Sequence, residues 1–148
     1  MLAKRKSVIS NGVSSFFQKK EVAKPQALQD KYIILMIGRY SVEKRQDLII
    51  EAIANSKYES KIQIILAGQG PWKGHLEALG AKLTNPPIFG FYNADELLEV
   101  INYSDLYVHA SDAEIEAISC MEAFTCGLVP IISDSKISAT NQFALDEH

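Results

Sequence analysis

Two carboxylates, Glu114 and Glu122, stand eight residues apart in SDAEIEAISCMEAFTCGLVP, the stretch 111–130. Glu122 lies among Ala117, Ile118, Cys120, Met121, Ala123 and Phe124. An acid in such apolar company is costly unless a polar group meets it. If most of the interval is helical, the two acids are separated by about 12 Å along the axis. That span matches a ribose at one end and a hexose at the other, with a diphosphate between. A helix starting near 115–119 would offer that diphosphate unpaired backbone N–H groups and the positive end of its dipole. Two cations, Arg39 and Lys44, follow the apolar run KYIILMIG and are suited to the same phosphate oxygens.

These groups meet only if the chain delivers them to one place. KYIILMIG is continuous and rich in branched residues, as a strand buried on both faces requires. RQDLIIEAIANSKY has helical spacing, with Leu48, Ile49, Ala52 and Ile53 expected on its inner face. KIQIILAG, PPIFGF, DLYVHA and VPIIS are further strands. KGHLEALGAKL, NADELLEVINYS (opened by Asn93) and EAISCMEAFTCG (closed by Gly127) are the intervening helices. Strand and helix alternating at this pitch predict an α/β fold, a Rossmann-like three-layer α/β/α arrangement around a parallel sheet. Ligands in such folds bind at the carboxyl ends of the strands. The residues there are 38–44, 68–70, 90–92, 110–116 and 133 onward, which include Arg39, Lys44 and Glu114 but not Glu122. GQGPWKG, 68–74, imitates a dinucleotide fingerprint, but its third glycine is one place late and Pro71 interrupts it. A plain strand-to-helix turn is expected instead.

Composition removes several alternatives. A net charge of −3 gives a nucleic-acid partner no electrostatic support. No apolar run reaches the length of a membrane span, and the N-terminus lacks the apolar stretch of a signal peptide. A cytoplasmic, reducing setting is therefore expected. Cys120 and Cys126 on one helix would stand about 9 Å apart along its axis, beyond disulfide reach. The histidines at 75, 109 and 148 have no metal-ligand spacing, so no metal is expected. KRK and FFQKK could touch an anionic membrane at the inner face or serve as a solvated linker.

Five stretches in order, ISNGV, IGRYSVEKRQDLIIEAI, ILAGQGP, FGFYNADELLEVINYSDLYVHAS and EIEAISCMEAFTCGLVPIIS, resemble the donor-binding half of retaining glycosyltransferases of the GT-B fold, family GT4. The ending SKISATNQFALDE is similar, more narrowly, to bacterial lipid glucosyltransferases acting on cholesterol or diacylglycerol and to enzymes of capsule synthesis. The resemblance implies a UDP-sugar donor, UDP-glucose above all, with no cofactor. It implies catalytic roles for Arg39 and Lys44 on the diphosphate and for Glu114 at the sugar. It assigns the ribose hydroxyls to Glu122 and the nucleobase edge to the backbone at Phe91 and Tyr92. Gly38, Gly68, Gly70, Ile115, Glu116, Ala117 and Ile118 complete the nucleotide-sugar site. The usual E-G-F-G opening is here Glu114-Ile115-Glu116-Ala117, which shifts the sugar contact more than the fold.

Residues 1–30 are then an interdomain linker with a short strand, and 31–148 the nucleotide-sugar domain. An N-terminal acceptor domain would be the chain's own missing partner, and the 148 residues by themselves are expected to be inactive. Exposed apolar surface near Tyr40, Phe91 and Ile115 would mark where that domain packs. A GT-B sugar-nucleotide epimerase and a non-catalytic nucleotide-sugar-binding module share the same nucleotide site and remain open alternatives.

Overall fold

The computed structural model describes residues 16–110 and 118–132. Five strands and four α-helices alternate: β1 (Tyr32–Ile37), α1 (Gln46–Ala54), β2 (Ile62–Ala67), α2 (Lys73–Gly80), β3 (Ile88–Gly90), α3 (Ala94–Tyr103), β4 (Leu106–His109), α4 (Ile118–Thr125) and β5 (Pro130–Ile132). All pair in parallel in the order β3-β2-β1-β4-β5. The chain reverses its direction of travel across the sheet between β1 and β4. Such a reversal opens a crevice at the carboxyl ends of the strands.

Successive residues of β1 face opposite layers, which explains its unbroken apolar run. Ile33 and Leu35 pack with α3 and α4 residues such as Leu98, Ile101 and Ala123. Ile34 and Met36 pack with Ile50 and Ile53 of α1 and Leu76 of α2. Each such side chain, fully removed from water, contributes about 1.5–3 kcal/mol.

Expected placements on α1 and at Tyr40 are corrected. The inner face of α1 is Gln46, Ile50 and Ile53, while Leu48 and Ala52 are exposed. Gln46 sets this rotation, because its buried amide donates to the Arg39 carbonyl at 2.8 Å and fixes the first turn against the sheet. Phe124 faces solvent on α4, where Ala123 is buried, and the buried free thiol of Cys126 lies just past the helix end. Tyr40 is 1% exposed, part of the core rather than of any exposed apolar surface.

The helix ends follow local rules. Asn93 caps α3 by accepting from Glu96 N–H at 2.9 Å, and the Glu96 carboxylate accepts from Asn93 N–H at 3.0 Å. Gly127 closes α4 with φ 79°. Ahead of β1, the segment from Phe16 is docked on the domain. Phe17 is buried in the core, and Asn102 both accepts from Lys20 N–H and donates to the Gln18 carbonyl. Lys24 pairs with Asp105 at 2.5 Å, and the same carboxylate accepts from Ile33 N–H at the start of β1. The strand-like SVIS lies outside the described residues.

Candidate functional site

The loops after β1, β2 and β3 lie together at the carboxyl edge of the sheet. Backbone bonds join them: Gly38 N–H donates to the Ala67 carbonyl at 2.9 Å, Gly68 N–H to Gly90 at 2.8 Å, and Tyr40 N–H to Gln69 at 3.1 Å. Trp72 N–H returns to the Tyr40 carbonyl at 3.1 Å. Tyr40 is thus the pin of the site, held on both sides by the 68–72 turn. Its ring makes an edge contact with Phe89, and burial pushes its hydroxyl pKa up to about 12. It therefore stays neutral and has a structural part here, not an acid–base one.

The turn can pass so close only because Gly68 and Gly70 lack side chains. Gly68 has φ 150°, and a Cβ on it would stand 2.1 Å from the Gly38 carbonyl oxygen. The result is a cavity of about 570 Å³ lined, among the described residues, by Arg39, Gly68, Gln69, Gly70 and Phe91. Phe91 is 72% exposed there, the one part of the expected apolar patch that the described residues show at the surface.

Lys44 reaches the same edge from the short 3-10 turn Val42–Lys44. Its aliphatic stem lies over Gly38, so that a Cβ there would meet Lys44 Cδ at 3.6 Å. Between the two cations in sequence is Glu43, within the same 38–44 loop. Its carboxyl is held below the usual carboxylate range, first by its own backbone N–H and further by the positive charges of Arg39 and Lys44. Arg45 follows in the left-handed region at φ 54° and is tied to Asp47 at 3.1 Å, pointing its charge into α1.

Not all the candidate residues meet in this cavity. Tyr92 packs its ring onto Gly90 and lines a second cavity of about 420 Å³ with Glu96, Glu99 and Tyr103, which shares Phe91 with the first. Glu122 sits half-buried on α4, and burial holds its carboxyl above the usual range. Ile118 begins that helix. Glu114, Ile115, Glu116 and Ala117 lie outside the described residues. Gln69 and Tyr40 contribute in ways the sequence did not assign, Gln69 to the cavity wall and Tyr40 as a buried pin rather than as exposed surface. Both sit inside motifs it did quote, GQG and GRY, where only the loop-to-loop bonds reveal their part. Among the described residues no group of three His, Cys, Asp or Glu is placed to hold a metal ion. No helix among them is long and apolar enough to cross a membrane.

Comparison with known proteins adds an independent line. The family described as glycosyl transferases group 1 matches residues 17–143. The catalytic domain of the Helicobacter pylori cholesterol-alpha-glucosyltransferase is 46% identical, over 78% of this chain and 73% of that one, with a TM-score of 0.70. The alpha-monoglucosyldiacylglycerol synthase of Streptococcus pneumoniae is 27% identical over 119 residues, 77% of this chain. The Anabaena protein HepE, solved in complex with UDP-glucose, shares the fold at 21% identity, over 82% of this chain and 34% of that one, with a TM-score of 0.70. The chain spans 27% of the length of the S. pneumoniae synthase and of an uncharacterized Methanocaldococcus jannaschii glycosyltransferase.

Proposed function

The chain belongs to the group 1 glycosyl transferases, and we propose that it is the donor-binding half of a retaining enzyme moving glucose from UDP-glucose to a lipid, sterol or polysaccharide acceptor. The supporting observation is the convergence of Arg39, Gly68, Gly70 and Phe91 on one cavity at the carboxyl ends of the strands. The 46% likeness to a cholesterol glucosyltransferase domain and the UDP-glucose bound by HepE favour this donor over other nucleotide sugars.

In this reading Arg39, Lys44 and the backbone at Gly38 hold the diphosphate. The 68–70 turn allows its close approach, and the backbone at Phe91 and Tyr92 meets the base. Glu122 accepts from the ribose hydroxyls, which would supply hydrogen-bond donors to a half-buried carboxylate. Glu114 orients the sugar, with Glu116 and the backbone of Ile115, Ala117 and Ile118 beside it. Transfer on the front face leaves charge on the departing diphosphate. Neutralising that charge is the main electrostatic task, and Arg39 and Lys44 supply it without a metal. Residues 1–30 connect to an acceptor domain, and the basic KRK and FFQKK runs favour work at the cytoplasmic face of a membrane.

Calorimetric titration with UDP in the presence of a chelator tests the reading, and binding is expected. Loss of binding under chelation would remove the metal-free claim, and no binding in any buffer would remove the donor site. Transfer itself needs an acceptor held in place and water excluded. With donor and lipid or sterol, the 148 residues by themselves should form no glycoside; turnover would place the acceptor site within this chain.

Glu122→Gln should weaken UDP binding by about 1–3 kcal/mol through loss of charge-assisted bonds to ribose. Its effect on stability has the opposite sign. Because burial raises the folded-state pKa, the native domain binds the Glu122 proton more tightly than the unfolded chain. Glu122 therefore contributes a penalty that is present at pH above its folded pKa and vanishes as pH falls below the unfolded one. The glutamine chain should be as stable as the parent or slightly more so at neutral pH, and the difference should close in acid. Unchanged UDP affinity would rule out the ribose assignment.

A further inference from the structure

A smaller cavity of about 170 Å³ opens beside the one that holds Arg39 and shares Gly68, Gln69 and Phe91 with it. Its other walls include Tyr40, Phe89 and Lys73. Phe89 in β3 and the exposed Phe91 just after it give the cavity aromatic surface on which a flat heterocycle can rest. Lys73 carries the only charge among its described lining residues. The ammonium stands 5.9 Å from the centre of the Phe89 ring and 3.7 Å from Glu77 Oε1. The Glu77 pair is solvent-exposed, at 54% and 53%, and holds the side chain weakly. The Tyr40 hydroxyl, by contrast, is already donated to the Leu66 carbonyl.

We propose that Lys73 selects the nucleobase of the donor, accepting one that carries a carbonyl oxygen at C4 and disfavouring one that carries an amino group there. This rests on the nucleotide-sugar reading above and narrows it. With the diphosphate at Arg39 and Lys44, the base must lie within one nucleoside's length, and the Lys73 cavity adjoins the phosphate cavity directly. A lysine ammonium has three donors and no acceptor. It can bond the O4 of uracil, whereas cytosine places a donor amino group at the same position. Gln69, with both a donor and an acceptor, cannot discriminate in this way.

The test compares UDP with CDP, whose bases differ at C4, carbonyl against amino, and at the adjoining N3, N–H against a lone pair. Dissociation constants are measured for the parent, Lys73→Met and Lys73→Arg. The parent should prefer UDP by about tenfold, the worth of one charge-assisted bond at a partly exposed site. Lys73→Met should lose that factor on UDP and little on CDP, so the ratio falls towards one, and Lys73→Arg should keep it. The retained CDP binding reports that the methionine chain is folded. Equal losses on both nucleotides would mean that Lys73 acts only as a distant charge on the phosphates, and would overturn the inference. An unchanged ratio would overturn it too, while UDP binding by the parent left the donor site standing. If the parent binds neither nucleotide, the donor-site reading falls and takes this inference with it.

Discussion

A Gly70→Ala chain should unfold roughly 6–12 °C below the parent, whereas Gly74→Ala, four residues on, should unfold at or slightly above it. The chemical change is one methyl group in both cases. At Gly70 the new Cβ would stand 2.4 Å from the Tyr40 carbonyl oxygen and 2.8 Å from its nitrogen. Those are backbone atoms of a residue buried in the core, so neither can swing aside as a long side chain would. The 68–72 turn must lift away, and the Tyr40–Gln69 and Trp72–Tyr40 bonds stretch or break. Overpacking of this kind costs about 1–3 kcal/mol, and each lost bond about 1 kcal/mol. At Gly74, by contrast, nothing lies within 4 Å of the added carbon. Alanine there, inside α2, should add about 0.5–1 kcal/mol of helix stability. Thermal unfolding of the two variants side by side checks the pair. A Gly70→Ala chain that melts with the parent would mean that the turn is not pinned by Tyr40. The same lift withdraws Gly68 and Gln69 from the cavity, so UDP affinity should fall together with stability.

That contrast shows what the sequence could and could not reveal. GQGPWKG carries three glycines that look alike on paper. The first two are required by the Gly38 carbonyl and the Tyr40 backbone, some 30 residues earlier in the chain, and the third by nothing. Strand and helix identities were legible because they depend on local periodicity: the apolar run before Gly38 and the Asn93–Glu96 cap each announce themselves within a few residues. The orientation of α1 was not, because it is decided by one polar contact, Gln46 to the Arg39 carbonyl, that hydropathy spacing ignores. Tyr40 misled for a similar reason. Between Arg39 and Ser41 at a strand end it reads as a surface aromatic, yet the approach of two loops buries it. Topology was sufficient to bring Arg39, Gly68, Gly70 and Phe91 to one edge. The parts of Gln69 and Lys73 depend on how that edge is shaped, and spacing alone does not encode it.

Removal of both cations at that edge should have the largest effect on binding of any change considered. The Arg39→Ala, Lys44→Ala double variant should bind UDP about a hundredfold or more weaker than the parent, with little change in stability. The start of α1 is spared because the buried Gln46 bonds the Arg39 main-chain carbonyl, which alanine retains, and the Lys44 stem lies over Gly38 only at ordinary contact distance. The binding loss should be large because a diphosphate placed at this edge as proposed would meet positive charge from both residues at once, and bonds to charged donors are about twice as strong as neutral ones. Two further measurements separate this cause from a general disturbance of the cavity. UDP binding by the parent should weaken as salt rises, with charges about 8 Å apart largely screened at physiological ionic strength, and the double variant should show a much flatter response. Uridine, which has the base and ribose but no phosphate, should bind both chains alike. If the variant retained the parent's UDP affinity, the diphosphate would lie away from Arg39 and Lys44. If it lost uridine as well, the two residues would be shaping the base site rather than neutralising phosphate.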